Sequence, residues 1–223
     1  MPTRVHRPAT SPLAAEAIKA WAGVTTTIVA DLFRGRVLVD SAIRPVRPFG
    51  EGARLVGRAV TAWCEPADYG PVHHAIAVAG VGEVIAVAAG GRLDAAMIGE
   101  HLCGAARRKG VAGVVVDGAV RDLATLAAWP DFPVFRRGST ARGPSSMERG
   151  SVGEPVVLGG VPIAPGDLVL GDDDGLVVIP QAEVESRLPA ALAMVRAEEG
   201  WEARLRRGES TLEVFTVPPA ESA

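Results

Sequence analysis

Apolar positions along the chain follow two rhythms: short β-branched runs bounded by glycine and aspartate, and longer stretches with helical spacing. The organising stretch is Gly110 to Asp122, in which Val114, Val115 and Val116 form an unbroken β-branched run. That is the pattern of a strand buried on both faces. A turn signal, Asp117-Gly118, stands directly behind it, and the strand delivers Arg121 and Asp122 to its exit. Residues 53–63 alternate like a strand with Gly57 interrupting it, and 83–88 and 133–135 read as further strands. Four short strands, 156–158, 161–163, 168–170 and 176–179, are separated by Gly159-Gly160, Pro165-Gly166 and residues 172–175, the punctuation of tight hairpins or corners.

Helical spacing predicts a helix over 11–22, with Ser11 as cap and Pro12 at its first position, and another over 28–34 capped from Thr25-Thr26-Thr27. A short helix over 72–79 carries His73 and His74. The run 95–98, set off by Gly90-Gly91, leads into a helix that opens at Gly99-Glu100-His101-Leu102-Cys103 and ends at Arg107-Arg108-Lys109-Gly110; basic residues followed by glycine suit a helix C-terminus. Helices also follow over 123–129 and over 181–207, the latter long, charged and carrying Pro189 and Gly200. Segments 37–52 and 138–153 read as loops, the second placed to close over a ligand or to lie in a subunit interface. With no internal repeat and no linker, a mixed α/β domain is expected.

Composition narrows the class. A chain of 223 residues, 48% hydrophobic, buries a substantial core. A net charge of −3 and a pI near 5.8 argue against a general nucleic-acid binder. No stretch approaches the roughly 20 apolar residues of a membrane span, and the N-terminus has no signal-peptide core, so a cytoplasmic protein is the default. Cys64 and Cys103 form neither a disulfide framework nor a zinc pattern.

In an open sheet with crossover helices, ligands collect at strand exits, so the guanidinium of Arg121 beside the carboxylate of Asp122 suggests a site for an anion and a metal. On local sequence alone, two solvated first-turn residues remain an equal reading. The helix opening at Gly99 offers free amides and a positive dipole, a carboxylate cradle unless water caps it. His73 and His74 diverge by about 100° on a helix and do not point at one metal. Gly80-Val81-Gly82 precedes a strand, the reverse of a dinucleotide fingerprint. No nucleophile elbow surrounds Ser145-Ser146. Lys19 and Lys109, the only lysines, lack the apolar surroundings a Schiff-base lysine needs.

The segment 80–180 resembles the class II, metal-dependent pyruvate aldolases that cleave 4-hydroxy-4-methyl-2-oxoglutarate and 4-carboxy-4-hydroxy-2-oxoadipate, a fold family that also holds the RNase E regulators (RraA-like). The resemblance rests on Gly99-Glu100-His101-Leu102, on Gly113-Val-Val-Val-Asp-Gly-Ala-Val-Arg121-Asp122 and on Phe132-Pro-Val-Phe-Arg-Arg-Gly138. It continues through Gly159-Gly-Val-Pro-Ile-Ala-Pro-Gly166-Asp167 and Asp172-Asp-Asp-Gly175-Leu-Val-Val-Ile-Pro180. It implies a mixed α/β sandwich of the swivelling β/β/α type, one RraA-like domain over 1–223, assembled as a homotrimer or homohexamer with helix 181–207 packed on a neighbouring subunit.

It further implies that Asp122 holds Mg²⁺ or Mn²⁺, that Arg121 stabilises the enolate oxygen, and that the turn from Gly99, through the amides of His101, Leu102 and Cys103, holds the pyruvate carboxylate. Glu100 stands where these aldolases commonly carry an aspartate and would hold a water that shuttles protons. Glu198, or Glu199 as runner-up, matches a glutamate lent by a neighbouring subunit. The expected reaction is metal-dependent cleavage of a 4-hydroxy-2-oxo acid to pyruvate and a second oxo acid, with oxaloacetate decarboxylation as a side activity. The partner is then a small 2-oxo acid, not a nucleic acid or a membrane. The alternatives are a non-catalytic, RNase E regulator-like interaction protein and a metal lyase for a different 2-oxo acid. The regulators generally lack the carboxylate after the arginine, and Asp122 is present here.

Overall fold

The structure, a computed structural model, describes residues 2–6, 13–50, 54–65 and 68–221. Ser11, Pro12 and Ala53, on which sequence expectations fell, lie outside the described residues. In chain order the elements are β1 (Arg4–Val5), α1 (Ala15–Trp21), α2 (Thr26–Leu32), β2 (Arg44–Pro45), β3 (Leu55–Cys64), α3 (Gly70–Val78), β4 (Val84–Ile98), α4 (Glu100–Arg108), β5 (Gly113–Val120) and α5 (Leu123–Ala127). There follow β6 (Val134–Ser139), β7 (Gly150–Val152), β8 (Val156–Leu158), β9 (Val161–Ile163), β10 (Leu168–Asp172), β11 (Gly175–Ile179), α6 (Gln181–Arg206) and α7 (Thr211–Val214).

Strands β3, β4, β5 and β6 run parallel through the middle of a sheet ordered β1-β7-β3-β4-β5-β6-β2. All eight residues of β5 are buried, as the valine run predicts; each of its buried valines contributes about 1.5–3 kcal/mol. One sheet face, with Ile85, Val87, Val114 and Val116, packs under α3, α4 and α5 through Val72, Cys103, Ala106 and Leu126. The other, with Val84, Ala86, Val115 and Phe135, meets the β8–β9 hairpin and Val169, Leu176 and Val178 of β10 and β11. Beyond those strands lie α1, α2 and α6, which bury Trp21, Ile28, Val29 and Val184 against Leu170 and Val177. This layering of helices, sheet, strand hairpins and helices is the mixed α/β class expected. No helix among the described residues is long and apolar enough to cross a membrane.

Several local expectations are corrected. Asp117-Gly118 is not a turn: β5 runs on to Val120, and the buried Asp117 carboxylate accepts Arg137 Nε at 2.6 Å and the Gly159 amide at 2.8 Å. A polar group so satisfied is tolerated inside a strand. Gly57 does not interrupt β3; it is a close approach, where a Cβ would overlap the Gly82 carbonyl. The expected strand 83–88 and the short run 95–98 belong to one strand, β4, with register shifts against β5 between Ala88 and Ile98. Gly90 and Gly91, at φ 64° and 72°, absorb the extra residues as bulges do. Loop 138–153 contains β7, and α6 runs unbroken through Pro189.

The bulged β4 ends level with β5, since Ile98 pairs with Val120 and the Arg121 amide donates to the Ile98 carbonyl at 3.1 Å. Two helix starts, α4 and α5, therefore sit side by side at one sheet end.

Candidate active site

Asp122 is the pivot of this end. It adopts the left-handed conformation (φ 61°, ψ 38°), which turns the chain from β5 into α5. Its carboxylate reaches sideways, and Oδ2 accepts the Glu100 amide at 3.0 Å. The first amide of α4 is thus capped from the neighbouring strand exit, because its own N-cap, Gly99, has no side chain. Gly99 is extended (φ −147°, ψ −163°), a conformation open to any residue; what excludes a side chain is space. A Cβ there would overlap Asp122 Oδ2 and stand 2.9 Å from Arg121 Cγ. Arg121 Nε lies 3.7 Å from Asp122 Oδ2, with both side chains over a third exposed, so their attraction is weak.

A cavity of about 220 Å³ opens here, lined among others by Tyr69, His73, His101, Leu102, Arg121 and Asp122. Gly99 lines it as well. The amides at the helix start divide: Glu100 N–H is held by Asp122, and Cys103 N–H bonds the Gly99 carbonyl at 3.0 Å within the helix. Helix geometry leaves His101 and Leu102 as the two amides without an intrahelical acceptor, so the expected cradle of three narrows to two. The Cys103 side chain is fully buried, and burial, then the charge of Asp122, pushes its thiol up to about 12. The Glu100 carboxylate stands 3.6 Å from His101 Nδ1 and does not line the cavity. Glu198 and Glu199 are exposed on α6 and do not line it either.

Sequence reasoning did not place the opposite wall, although it weighed His73 as a metal ligand and read 138–153 as a loop able to close over a ligand. Tyr69 and His73 pack edge to face with ring centroids 4.9 Å apart. Burial, then the charge of His74, lowers the His73 pKa from its ordinary value, favouring neutral imidazole. Pro144 also lines the cavity, and a Cβ on Gly143 would stand 2.9 Å from Arg121 Nη1. Only the packing of α3 and of the segment after β6 brings these residues to β5; no local spacing marks them.

Among the described residues no three His, Cys, Asp or Glu side chains cluster as a metal cage. Asp122 offers one carboxylate, whose Oδ2 serves α4. This donor set fits Mg²⁺ or Mn²⁺, hard cations that take one or two protein carboxylates and keep several waters.

Residues 25–178 match the RraA-like family model, Aldolase/RraA. The chain belongs to the Aldolase/RraA family. It is similar to a provisionally named 4-hydroxy-4-methyl-2-oxoglutarate aldolase of Halalkalibacterium halodurans, 38% identical over 168 residues, 75% of this chain and 78% of that one. It is similar to the 4-hydroxy-4-methyl-2-oxoglutarate aldolase of Thermus thermophilus, 36% identical over 135 residues, 60% of this chain and 81% of that one. Its fold resembles that of Streptomyces coelicolor RraAS2, described as an unusual member of the RNase ES inhibitor RraA family, with a TM-score of 0.76 and 26% identity over 86% of this chain and all of that one. The Aldolase/RraA fold thus serves both kinds of protein, and the choice between them rests on the site.

Proposed function

We propose that the protein is a divalent-metal-dependent aldolase that cleaves a 4-hydroxy-2-oxo acid, such as 4-hydroxy-4-methyl-2-oxoglutarate or 4-carboxy-4-hydroxy-2-oxoadipate, to pyruvate and a second oxo acid. The observation that carries this reading is the meeting of the Asp122 carboxylate, the Arg121 guanidinium and the amide-bearing start of α4 in one cavity. The aldolase names of two relatives support it.

In this reading the substrate carboxylate lies on the His101 and Leu102 amides, where the helix dipole adds to the attraction. Asp122 would hold Mg²⁺ or Mn²⁺, which supplies a Lewis acid to polarise the 2-oxo group. Arg121 directs its fork of donors at the C2 oxygen, where negative charge grows as the C3–C4 bond breaks; a donor aimed at developing charge lowers the barrier rather than the ground state. Glu100 takes part in proton transfer through water, and Glu198, from a neighbouring copy in a homotrimer or homohexamer, completes the site. Oxaloacetate decarboxylation passes through the same enolate and is expected as a side activity.

The test is pyruvate release from a panel of 4-hydroxy-2-oxo acids with Mg²⁺, with a chelator, and with Mg²⁺ restored. Turnover that the chelator removes and the metal restores supports the reading. No turnover with any 2-oxo acid, together with tight binding to an RNase E-type partner, would establish the regulator reading, which the likeness to RraAS2 keeps in view.

A further inference from the structure

Asp68 is a carboxylate with no exposed surface, and aldol cleavage makes no use of it. It stands two residues before α3, on the Tyr69 side of the cavity. Its Oδ1 accepts the Glu148 amide at 2.5 Å and its Oδ2 accepts Arg149 Nε at 3.2 Å. Burial alone would raise this carboxyl; hydrogen bonds from the Ser146 hydroxyl, from Arg149 and from the Glu148 amide outweigh it and hold the group below its ordinary range. The backbone is stitched as well: Asp68 and Ser146 form a parallel bridge, and Tyr69 N–H donates to the Ser146 carbonyl at 3.1 Å. A Cβ on Gly70 would overlap the Met147 carbonyl, so the two segments lie in direct contact.

The other end of the same segment reaches the active site. Thr140 N–H donates to the Val120 carbonyl at 3.2 Å, and Ala96 N–H to the Arg142 carbonyl at 2.8 Å. Gly143 then rests against Arg121 Nη1, and Pro144 lines the cavity. Residues 140–149 therefore form a strap across the Arg121 guanidinium, tied to β4 and β5 at one end and to Asp68 at the other. A restraint is needed there, because fixing an arginine opposes about 2 kcal/mol of rotamer entropy. The 3.7 Å half-exposed pair with Asp122 supplies little of it.

We propose that Asp68 is a positioning residue for Arg121: by pinning residues 146–149 it seats Gly143 and Pro144 against the guanidinium and fixes the direction in which that group meets the substrate. The effect on turnover rests on the aldolase reading; the geometric claim does not.

The test compares the wild type with Asp68→Asn, which keeps shape but loses charge and one acceptor, and with Gly143→Ala, whose methyl presses on Arg121 without touching Asp68. Both are expected to lower kcat for pyruvate release about 10- to 100-fold with KM little changed, since the amides of α4, not Arg121, hold the ground-state carboxylate. Independently of activity, phenylglyoxal modification of Arg121, mapped by mass spectrometry against exposed Arg196, is expected to quicken several-fold in Asp68→Asn. If Asp68→Asn does not fold, Ser146→Ala, which removes one donor to the carboxylate, takes its place in the labelling measurement with a smaller rise expected. Wild-type turnover with kcat and Arg121 labelling unchanged in the variants would overturn the positioning role and leave the aldolase intact. Strap-dependent labelling in a protein that turns over no 2-oxo acid would sink the aldolase and keep the positioning role.

Discussion

Removing the Asp122 carboxylate disturbs both a candidate metal ligand and the start of α4, and two substitutions separate these effects. Asp122 sits at φ 61°, where alanine costs about 1 kcal/mol more than a residue with a short polar side chain such as Asp or Asn. Its bond to the Glu100 amide is charge-assisted, worth about 1.5–3 kcal/mol when lost, and the lower end applies because the side chain is 37% exposed and water replaces it. Asp122→Ala is therefore expected to destabilise the fold by about 2–3 kcal/mol, which at about 2–4 °C per kcal/mol lowers Tm by about 4–12 °C. Asp122→Asn keeps an oxygen for the Glu100 amide and tolerates the same backbone, so its stability stays within about 1 kcal/mol of wild type. Both variants remove the charge that holds the cation, and both are expected to lose at least about 10²-fold in turnover, a barrier change of about 2.7 kcal/mol. Thermal unfolding by circular dichroism reads the first effect and Mg²⁺-dependent pyruvate release the second. Wild-type turnover in Asp122→Asn would refute the site; wild-type Tm in Asp122→Ala would refute the helix-capping role.

Arg121→Lys should fold normally, because the half-exposed side chain buries little, yet lose about 10²-fold or more in kcat; a point charge does not reproduce the guanidinium fork, and near-native kcat would contradict that role. Cys64 and Cys103 are buried, and their thiols are pushed up to about 12 by burial, aided by the charges of Asp68 and Asp122 respectively. A thiol-specific reagent at pH 8 should label neither in the folded protein and both in denaturant; fast native labelling would show that one of them is accessible. Asp68 is held below its ordinary value of 3.8, so the stability it contributes is complete above about pH 4 and lost as the pH falls through the depressed value. Urea midpoints of wild type and Asp68→Asn should therefore differ by a constant amount from pH 7 to pH 5 and converge in acid; a gap that widens on acidification would reverse the sign of the argument.

Much of the scaffold was written locally. A strand covered on both faces must be apolar at every position, so Val114 to Val116 announced β5, and with it the exit at Arg121 and Asp122. The end of α4 was equally plain: Gly110 N–H bonds the Arg107 carbonyl and Val111 N–H the Ala106 carbonyl, closing the helix around the left-handed glycine that the basic run led up to. Thr25 caps α2 through the Ile28 amide at 3.3 Å, as a threonine before an apolar run should. Each of these signals acts over a few residues, and local sequence carries such information directly.

Other features were decided only when distant segments packed. Asp117 resembles a turn residue until Arg137, 20 residues on, and Gly159, 42 residues on, satisfy its carboxylate inside a strand. The strand 83–88 and the run 95–98 on either side of Gly90-Gly91 become one strand because β5 supplies a ladder long enough to span the bulges. At the site, sequence named Arg121, Asp122 and the Gly99 turn, but not that Asp122 would cap α4 or that Cys103 would spend its amide within the helix. The sequence marked 138–153 as a loop able to close over a ligand and raised His73 only beside His74 for a metal, but it gave no sign of Tyr69 or of the pin at Asp68. Propensity and hydrophobic period are properties of neighbours along the chain, whereas the partner of a buried polar group is chosen by tertiary packing, and that choice shaped this cavity.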